Sequence, residues 1–89
     1  MLTYQVAYRL PKGNERMVVA EVLDFPGVLS QGFDLADARQ MIASALEDVA
    51  QLYLEQGRAL PVPNANSVDD PTADLIERMP LSIEVASAR

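Results

Sequence analysis

The sequence predicts a small α+β domain in which one long helix packs on an antiparallel sheet, with the elements in the order β-β-β-α-β. Apolar and polar side chains alternate along residues 2–10, which is typical of a strand with one buried face. Apolar side chains recur every three or four positions along residues 35–56, which is typical of a helix with one buried face. Stacking the helix on the sheet in two layers buries both apolar faces.

The chain is expected to form one domain, because its 89 residues suit a single small core. We predict that residues 2–57 form the core, residues 59–71 a Pro-rich loop and residues 81–86 the last strand. No apolar run approaches the roughly 20 residues that a membrane span needs, and the first residues lack the pattern of a signal peptide. We therefore expect a soluble, cytoplasmic protein without membrane association.

The first two strands are predicted to form a hairpin. Residues 2–10 are the first strand, and the polar turn at residues 11–14 leads to residues 17–23, which are rich in the β-branched Val. A turn this short joins antiparallel strands.

The stretch DFPG at residues 24–27 is predicted to leave the sheet and turn. Pro26 has no amide hydrogen to donate, and Gly27 tolerates a positive φ. Residues 27–31 then form a short third strand. Asp34 is predicted to cap the following helix, because its carboxylate can accept a hydrogen bond from the first helical turn.

The helix over residues 35–56 is predicted to bury one stripe and expose the opposite one, and Gly57 is its expected C-terminal cap. The predicted buried stripe consists of Leu35, Ala38, Met41, Ile42, Ala45, Leu46, Val49, Leu52 and Tyr53. The predicted exposed face has no Lys or Arg and consists of Asp37, Gln40, Ser44, Glu47, Asp48, Gln51 and Glu55.

The residues that follow the helix predict a loop, a turn and a strand. Three Pro residues with neighbouring Asn and Asp indicate the loop at residues 59–71. Pro71 is expected to open one short helical turn through Leu75 and Met79. Alternation at residues 81–86 predicts the last strand.

The composition excludes several classes of chemistry. The chain has no Cys and no His, which removes thiol nucleophiles, imidazole bases and the usual zinc ligands. Its net charge of −6 disfavours direct binding to nucleic acid, because the phosphate backbone is also negative. Asp69 and Asp70 lack the Gly and the distal Glu of a calcium loop, so we predict no metal and no cofactor. Tyr4, Tyr8 and Phe33 are predicted to pack in the core.

Taken in order, these features resemble the N-terminal domain of HicB-type antitoxins and their small uncharacterised relatives, over about residues 4–63. That family has a strand, a D-x-P-G turn, a short strand ending in a polar residue and Gly, a helix opened by Asp or Thr, and a Pro-rich exit. The matching positions are Asp24, Pro26, Gly27, Gln31, Gly32, Asp34, Ala38, Ala45, Leu46, Gly57, Leu60, Pro61 and Pro63.

The resemblance implies a partial, degenerate ribonuclease H fold and a binding function. Ribonuclease H chemistry needs grouped carboxylates that hold two metal ions, and the first strand here has none, so we expect no enzyme activity. The family's antitoxins mask a small basic toxin that resembles double-stranded-RNA-binding domains and cleaves mRNA. Full antitoxins usually append an operator-binding module, but residues 64–89 are too poor in Lys and Arg to predict one.

We predict that the DFPG turn and the exposed helix face contact the toxin. The predicted contact residues are Asp24, Phe25, Pro26, Gly27, Asp37, Gln40, Glu47, Asp48, Gln51 and Glu55. An alternative is a stand-alone scaffold without a toxin, whose terminal strands, including residues 81–85, pair between copies. Both hypotheses are compatible with a homo-oligomer, either a dimer or a tetramer. A metal-dependent nuclease that uses the acidic residues is a third hypothesis.

Overall fold

The computed structural model describes residues 2–64 and 70–82, and over these residues it has the predicted α+β architecture. A four-stranded antiparallel sheet carries one long helix. The elements are β1 (Thr3–Arg9), β2 (Val18–Val22), β3 (Leu29–Gly32), α1 (Leu35–Glu55) and β4 (Leu75–Pro80). The strand order β3-β2-β1-β4 leaves β3 and β4 at the edges of the sheet.

Strand β1 is buried on both faces, whereas its pattern predicts burial on one. Tyr4 and Tyr8 belong to the core beneath α1 and have no exposed surface. Ala7 points to the other face and is also fully buried, because Glu21 of β2 and Ile76 of β4 lie directly opposite it. A central strand is shielded by both neighbours, and the period of two does not reveal this.

The core lies between the sheet and one side of α1. The buried helix residues are Ala38, Ile42, Leu46 and Ala50, and they share one cluster with the side chains of β1 and β2. Met41 and Leu52 are predicted to belong to this stripe, but 46% and 49% of their surfaces are exposed. The prediction is wrong at these two positions because both residues lie at the margin of the apolar stripe.

Both ends of α1 are capped as the sequence predicts. The Asp34 carboxylate accepts a hydrogen bond from the Asp37 amide, with an oxygen–nitrogen distance of 2.7 Å. At the other end Gly57 has a φ of +70°, and the Arg58 amide donates to the Tyr53 carbonyl over 2.8 Å. This backbone path is a Schellman motif, which needs Gly in the left-handed region. In the part of the chain that the structure describes, no helix combines the length and the hydropathy required to cross a bilayer.

The last described strand is displaced from its predicted position. Residues 75–80 form β4, where the sequence predicts the end of a helical turn, and the predicted strand at residues 81–86 is not observed at Leu81 and Ser82. Residues 83–86 lie outside the described part of the chain. The prediction failed because Glu77 occupies a position of β4 on the helix side of the sheet and interrupts the apolar alternation.

Candidate protein-binding site

The exposed side of α1 carries a surface that we call the acidic face, formed by Gln40, Glu47, Asp48, Gln51 and Glu55. All five residues are exposed, and their spacing places them on one side of the helix. Among residues 2–64 and 70–82, their side chains have no hydrogen-bonding or ion-pairing partner. The carboxylates of the acidic face therefore point into solvent without a neutralising neighbour among these residues.

Asp37 is also predicted to contact the toxin, but it lies in the first turn of the helix. Its carboxylate accepts a hydrogen bond from the Phe33 amide over 2.8 Å, and its own amide donates to Asp34. These two bonds connect the end of β3 to the first turn of α1. Because Asp37 is half-buried and bonded within the domain, its carboxylate is less accessible than those of the acidic face.

The Asp24 carboxylate holds the DFPG turn against two distant segments. One oxygen accepts the amide of Gln5 in β1, and the other accepts the amide of Asn64 in the exit loop (residues 58–64), each over 2.9 Å. The Leu23 amide also donates to the Gln5 carbonyl. Both oxygens of Asp24 are thus engaged inside the domain, where they fix the DFPG turn; its role as a contact residue stays a prediction.

Phe25 is a core residue, which corrects its predicted assignment as a contact. It has no exposed surface and lies between Tyr4 and Tyr53, with ring centroids 5.3 and 5.1 Å away. The Arg58 guanidinium stacks on Tyr53 at 3.9 Å from the ring centroid, which is a cation–π contact. The Tyr4 hydroxyl donates to the Pro61 carbonyl, so the cluster also anchors the exit loop.

Pro26 and Gly27 are the exposed members of the DFPG turn. Gly27 has a φ of +89°, a conformation that other residues rarely adopt. Because Phe25 packs on Tyr53 near the end of α1, this turn lies at the same end of the molecule as Glu55 of the acidic face. The turn and Glu55 thus share an end of the molecule, with the turn packed on the core side of the helix and Glu55 on its solvent side.

Two basic side chains near the end of β1, Arg9 and Lys12, are paired with acids. Arg9 contacts Glu21 at 3.0 Å and also contacts Asp70, and Lys12 lies 3.4 Å from Asp74. The Arg9–Asp70 and Lys12–Asp74 pairs connect the first hairpin to the segment that leads into β4, whereas the Arg9–Glu21 pair lies within the hairpin. The acids in this region are partly neutralised by their neighbours, in contrast to the acidic face.

Hydrogen bonds lower the pKa of two of these acids. The hydroxyl and amide of Thr72, and then the Arg9 guanidinium, hold the pKa of Asp70 below its usual value. The Leu10 amide, and then the Lys12 ammonium, do the same for the pKa of Asp74. Both carboxylates are consequently favoured in their charged form in the folded protein.

A polar cluster under the helix was not predicted from the sequence. Arg39 of α1 binds Glu77 of β4 with two hydrogen bonds, of which the one between Nε and Oε1 measures 2.9 Å. Hydrogen bonding to Arg39 lowers the pKa of Glu77, and the same bond raises the pKa of Arg39. Arg39 is the one Lys or Arg in the helix sequence, a signal that could have identified it as a tertiary contact.

The Tyr8 hydroxyl lies beside this cluster. It is buried and has no hydrogen-bonding partner among the described residues. The carboxylate of Glu77 is nevertheless close enough to influence its pKa. Burial, followed by the Glu77 charge, raises the pKa of Tyr8. The hydroxyl is therefore a polar group enclosed by the core.

Large apolar side chains are exposed around β3, which the sequence pattern did not predict. Phe33 is 81% exposed and Leu29 is 57% exposed, and the half-exposed Met41 and Leu52 lie on α1. Phe33 is predicted as a core residue, but it occupies the short connection between β3 and α1, outside the layer that the helix covers. We therefore correct its assignment from core to surface.

The acidic residues of the chain are dispersed over the described structure. Within residues 2–64 and 70–82, no three side chains of the His, Cys, Asp or Glu type are grouped in a way that could hold a metal ion. The acids are distributed among the acidic face, the start of α1, the DFPG turn and the ion pairs of the β1–β4 side.

Comparison of the chain with models of protein families and with curated proteins gave no match. The α+β fold is therefore established by the structure alone. The similarity to HicB-type antitoxins and to a degenerate ribonuclease H fold stays a prediction that rests on the ordered residues named above.

Proposed function

We propose that this chain is a non-enzymatic binding domain of the HicB antitoxin type, which covers the RNA-binding surface of a small basic mRNA-cleaving toxin. The observation that supports this best is the acidic face. Its carboxylates, Glu47, Asp48 and Glu55, lie exposed along one side of a helix, and no Lys or Arg lies among them.

Charge complementarity is the physical argument for this partner. A protein surface that binds RNA phosphates is rich in Lys and Arg, so a row of carboxylates presents the opposite potential. Arg9, Lys12 and Arg39 are paired with acids elsewhere in the domain. They therefore do little to neutralise the acidic face.

The rigidity of α1 supports the same function. The helix is capped at both ends, and the Arg39–Glu77 contact connects it to β4. A helix backbone that is already ordered loses less conformational entropy when a partner binds than a segment that must fold on binding. Pro26 and Gly27, exposed at the same end as Glu55, extend the proposed contact surface beyond the helix.

The test uses the small basic protein encoded beside this chain's gene, if such a reading frame is present, as the toxin. The chain should inhibit mRNA cleavage by that protein, and Glu47→Lys combined with Glu55→Lys should slow association by about tenfold or more at low salt. Higher salt should also slow association of the unchanged chain, because ions screen the attraction. Stopped-flow or surface-based kinetics would measure these rates.

The control is Glu15→Lys combined with Glu21→Lys on the first hairpin, which changes the net charge equally. Because it also removes the Arg9–Glu21 ion pair, circular dichroism is used to check that the control is folded. We expect this control to retain most of the association rate and the inhibition. Equal effects of the two double variants would show that only net charge matters and would reject the acidic face as the contact. Absence of a neighbouring basic reading frame, or failure to inhibit it, would reject the antitoxin function.

A further inference from the structure

We propose that two copies of this chain associate through β3, antiparallel across a two-fold axis, so that one sheet continues through both copies and the α1 helices lie side by side. Strand β3 is at the edge of the sheet, where backbone amides and carbonyls can pair with another strand. This interface borders the acidic face at Asp48 and does not depend on the proposed toxin.

The pairing of β2 with β3 shows which backbone groups face the open edge. The Val22 amide donates to the Val28 carbonyl over 3.0 Å, and the same register places Ala20 opposite Ser30. Residues of an antiparallel strand direct their backbone groups alternately to one neighbour and to the other. Leu29 and Gln31 therefore direct their amides and carbonyls away from β2.

One register of two β3 strands satisfies all of these groups. When Leu29 lies opposite Gln31 of the second copy, each residue donates and accepts a hydrogen bond across the interface. The two-fold axis then passes between the two Ser30 residues. The same register brings the exposed Phe33 opposite Gly27 of the second copy, where it can cover the DFPG turn.

The two edges of the sheet differ in their suitability for such pairing. Strand β3 has the sequence LSQG and carries no charge, so self-pairing places no like charges opposite each other. Strand β4 contains Glu77, Arg78 and Pro80, and charged residues and Pro are the devices that protect edge strands from pairing. The edge in β3 lacks both of these protections.

The helix adds an apolar surface at the same edge of the sheet as β3. Ala38 lies against Gly32 of β3, whereas Arg39 points toward β4. At about 100° per residue, Met41 and Leu52 lie roughly 50° from Ala38 on the side away from Arg39, which is the open side of β3. Two β3 strands about 4.8 Å apart would bring these flanks to within helix-packing distance, about 8–10 Å between axes.

The charges near this flank predict the salt dependence of the dimer. Asp48 lies between Met41 and Leu52 on the helix surface, so association brings the acidic faces of two copies closer together. Salt screens this repulsion, and self-association should become tighter as salt rises. The proposed toxin complex has the opposite dependence, which keeps the two proposals separable.

The first test measures the oligomeric state of the full chain by sedimentation velocity over about 1–100 μM, at about 0.05 and 0.5 M NaCl. We expect a monomer–dimer equilibrium that shifts to dimer at high salt. Leu29→Lys should weaken the dimer at least tenfold, while Leu10→Lys, at a residue of similar exposure away from β3, should leave it unchanged. Circular dichroism would show that both variants are folded.

The second test exploits the absence of Cys from the chain. Ser30→Cys places the two thiols across the two-fold axis in a non-hydrogen-bonded pair, a geometry that a disulfide can bridge. Oxidation should give a covalent dimer far faster than it does for Arg78→Cys on the β4 edge. A chain that is monomeric throughout, a dimer that Leu29→Lys leaves intact, or equal cross-linking of the two Cys variants would overturn the proposal.

Discussion

Gly32 of β3 lies directly against the backbone of Ala38 in the first turns of α1. A Cβ atom built on Gly32 would be 2.3 Å from the Ala38 nitrogen and 2.7 Å from its Cα. Backbone atoms cannot move aside as a flexible side chain can, so the close approach of the helix to the third strand requires the absence of a side chain here.

Gly32→Ala should lower the free energy of unfolding by about 1–3 kcal/mol, because the added methyl group overlaps the helix backbone. Urea denaturation followed by circular dichroism would measure this. Gly13→Ala is the control, since nothing lies within 4 Å of its Cβ and only its positive φ opposes the substitution, at a cost of about 1 kcal/mol. Equal losses in the two variants would contradict the steric argument.

Asp24→Ala should destabilise the domain by about 1–3 kcal/mol, because the amides of Gln5 and Asn64 both lose their carboxylate acceptor. Asp24→Asn should cost less, since the amide oxygen can still accept one of these bonds. Thermal unfolding of both variants, with Asp48→Ala as the exposed control, would measure the effect. Stability of Asp24→Ala equal to that of the control would contradict a structural function of Asp24.

Truncation to Ala should destabilise the domain strongly at one of its two Phe residues and hardly at all at the other. Phe25→Ala removes the ring between Tyr4 and Tyr53 and should destabilise by about 3–5 kcal/mol, which is enough to unfold many domains of this size. Phe33→Ala removes an exposed ring and should change the stability of the monomer by less than about 0.5 kcal/mol. Denaturation at low protein concentration separates this measurement from self-association, and similar losses for both would contradict the assigned positions.

The Arg39–Glu77 contact should make the stability depend on acid pH. Because the folded-state pKa of Glu77 lies below its ordinary value of 4.5, its contribution is complete above that value and is lost as the pH falls through the folded-state pKa. Asp70 and Asp74, whose pKa values are also lowered, should act in the same direction. Glu77→Gln should therefore make the loss of stability below about pH 4.5 less steep.

Denaturation midpoints across the acid range would measure this dependence. Arg39→Gln should remove the same portion of it, and the double variant with Glu77→Gln should remove no more than either single variant, because both substitutions delete one interaction. Additive effects of the two substitutions on the pH dependence would show that the carboxylate and the guanidinium act separately.

The elements that local pattern specifies were predicted from the sequence. Asp34 and Gly57 mark the ends of α1 because capping depends on residues only a few positions away. The helix stripe and the hairpin likewise follow from periods within one segment. The pattern is less informative for β4, where Glu77 interrupts the apolar alternation and pairs with Arg39, which is far away in the sequence.

The candidate site shows the same division. The exposure of Glu47, Asp48 and Glu55 follows from their positions on the polar side of one helix. Asp24 and Phe25, by contrast, are neighbours in one turn. The sequence does not show that the Asp24 carboxylate accepts hydrogen bonds from distant segments, or that the Phe25 ring is buried in the core. Phe33 was assigned to the core because apolar aromatic residues are usually buried.

The order of patterns along the chain determined that a helix would lie on an antiparallel sheet, and that one helix face would be acidic, because both depend on short-range periodicity and charge. Only the tertiary structure decided which strands lie at the edges, which acids are paired and which apolar side chains stay exposed. Those properties depend on contacts between distant segments, such as β1 with β4 and Asp24 with Asn64, and no local pattern encodes the partner of such a contact.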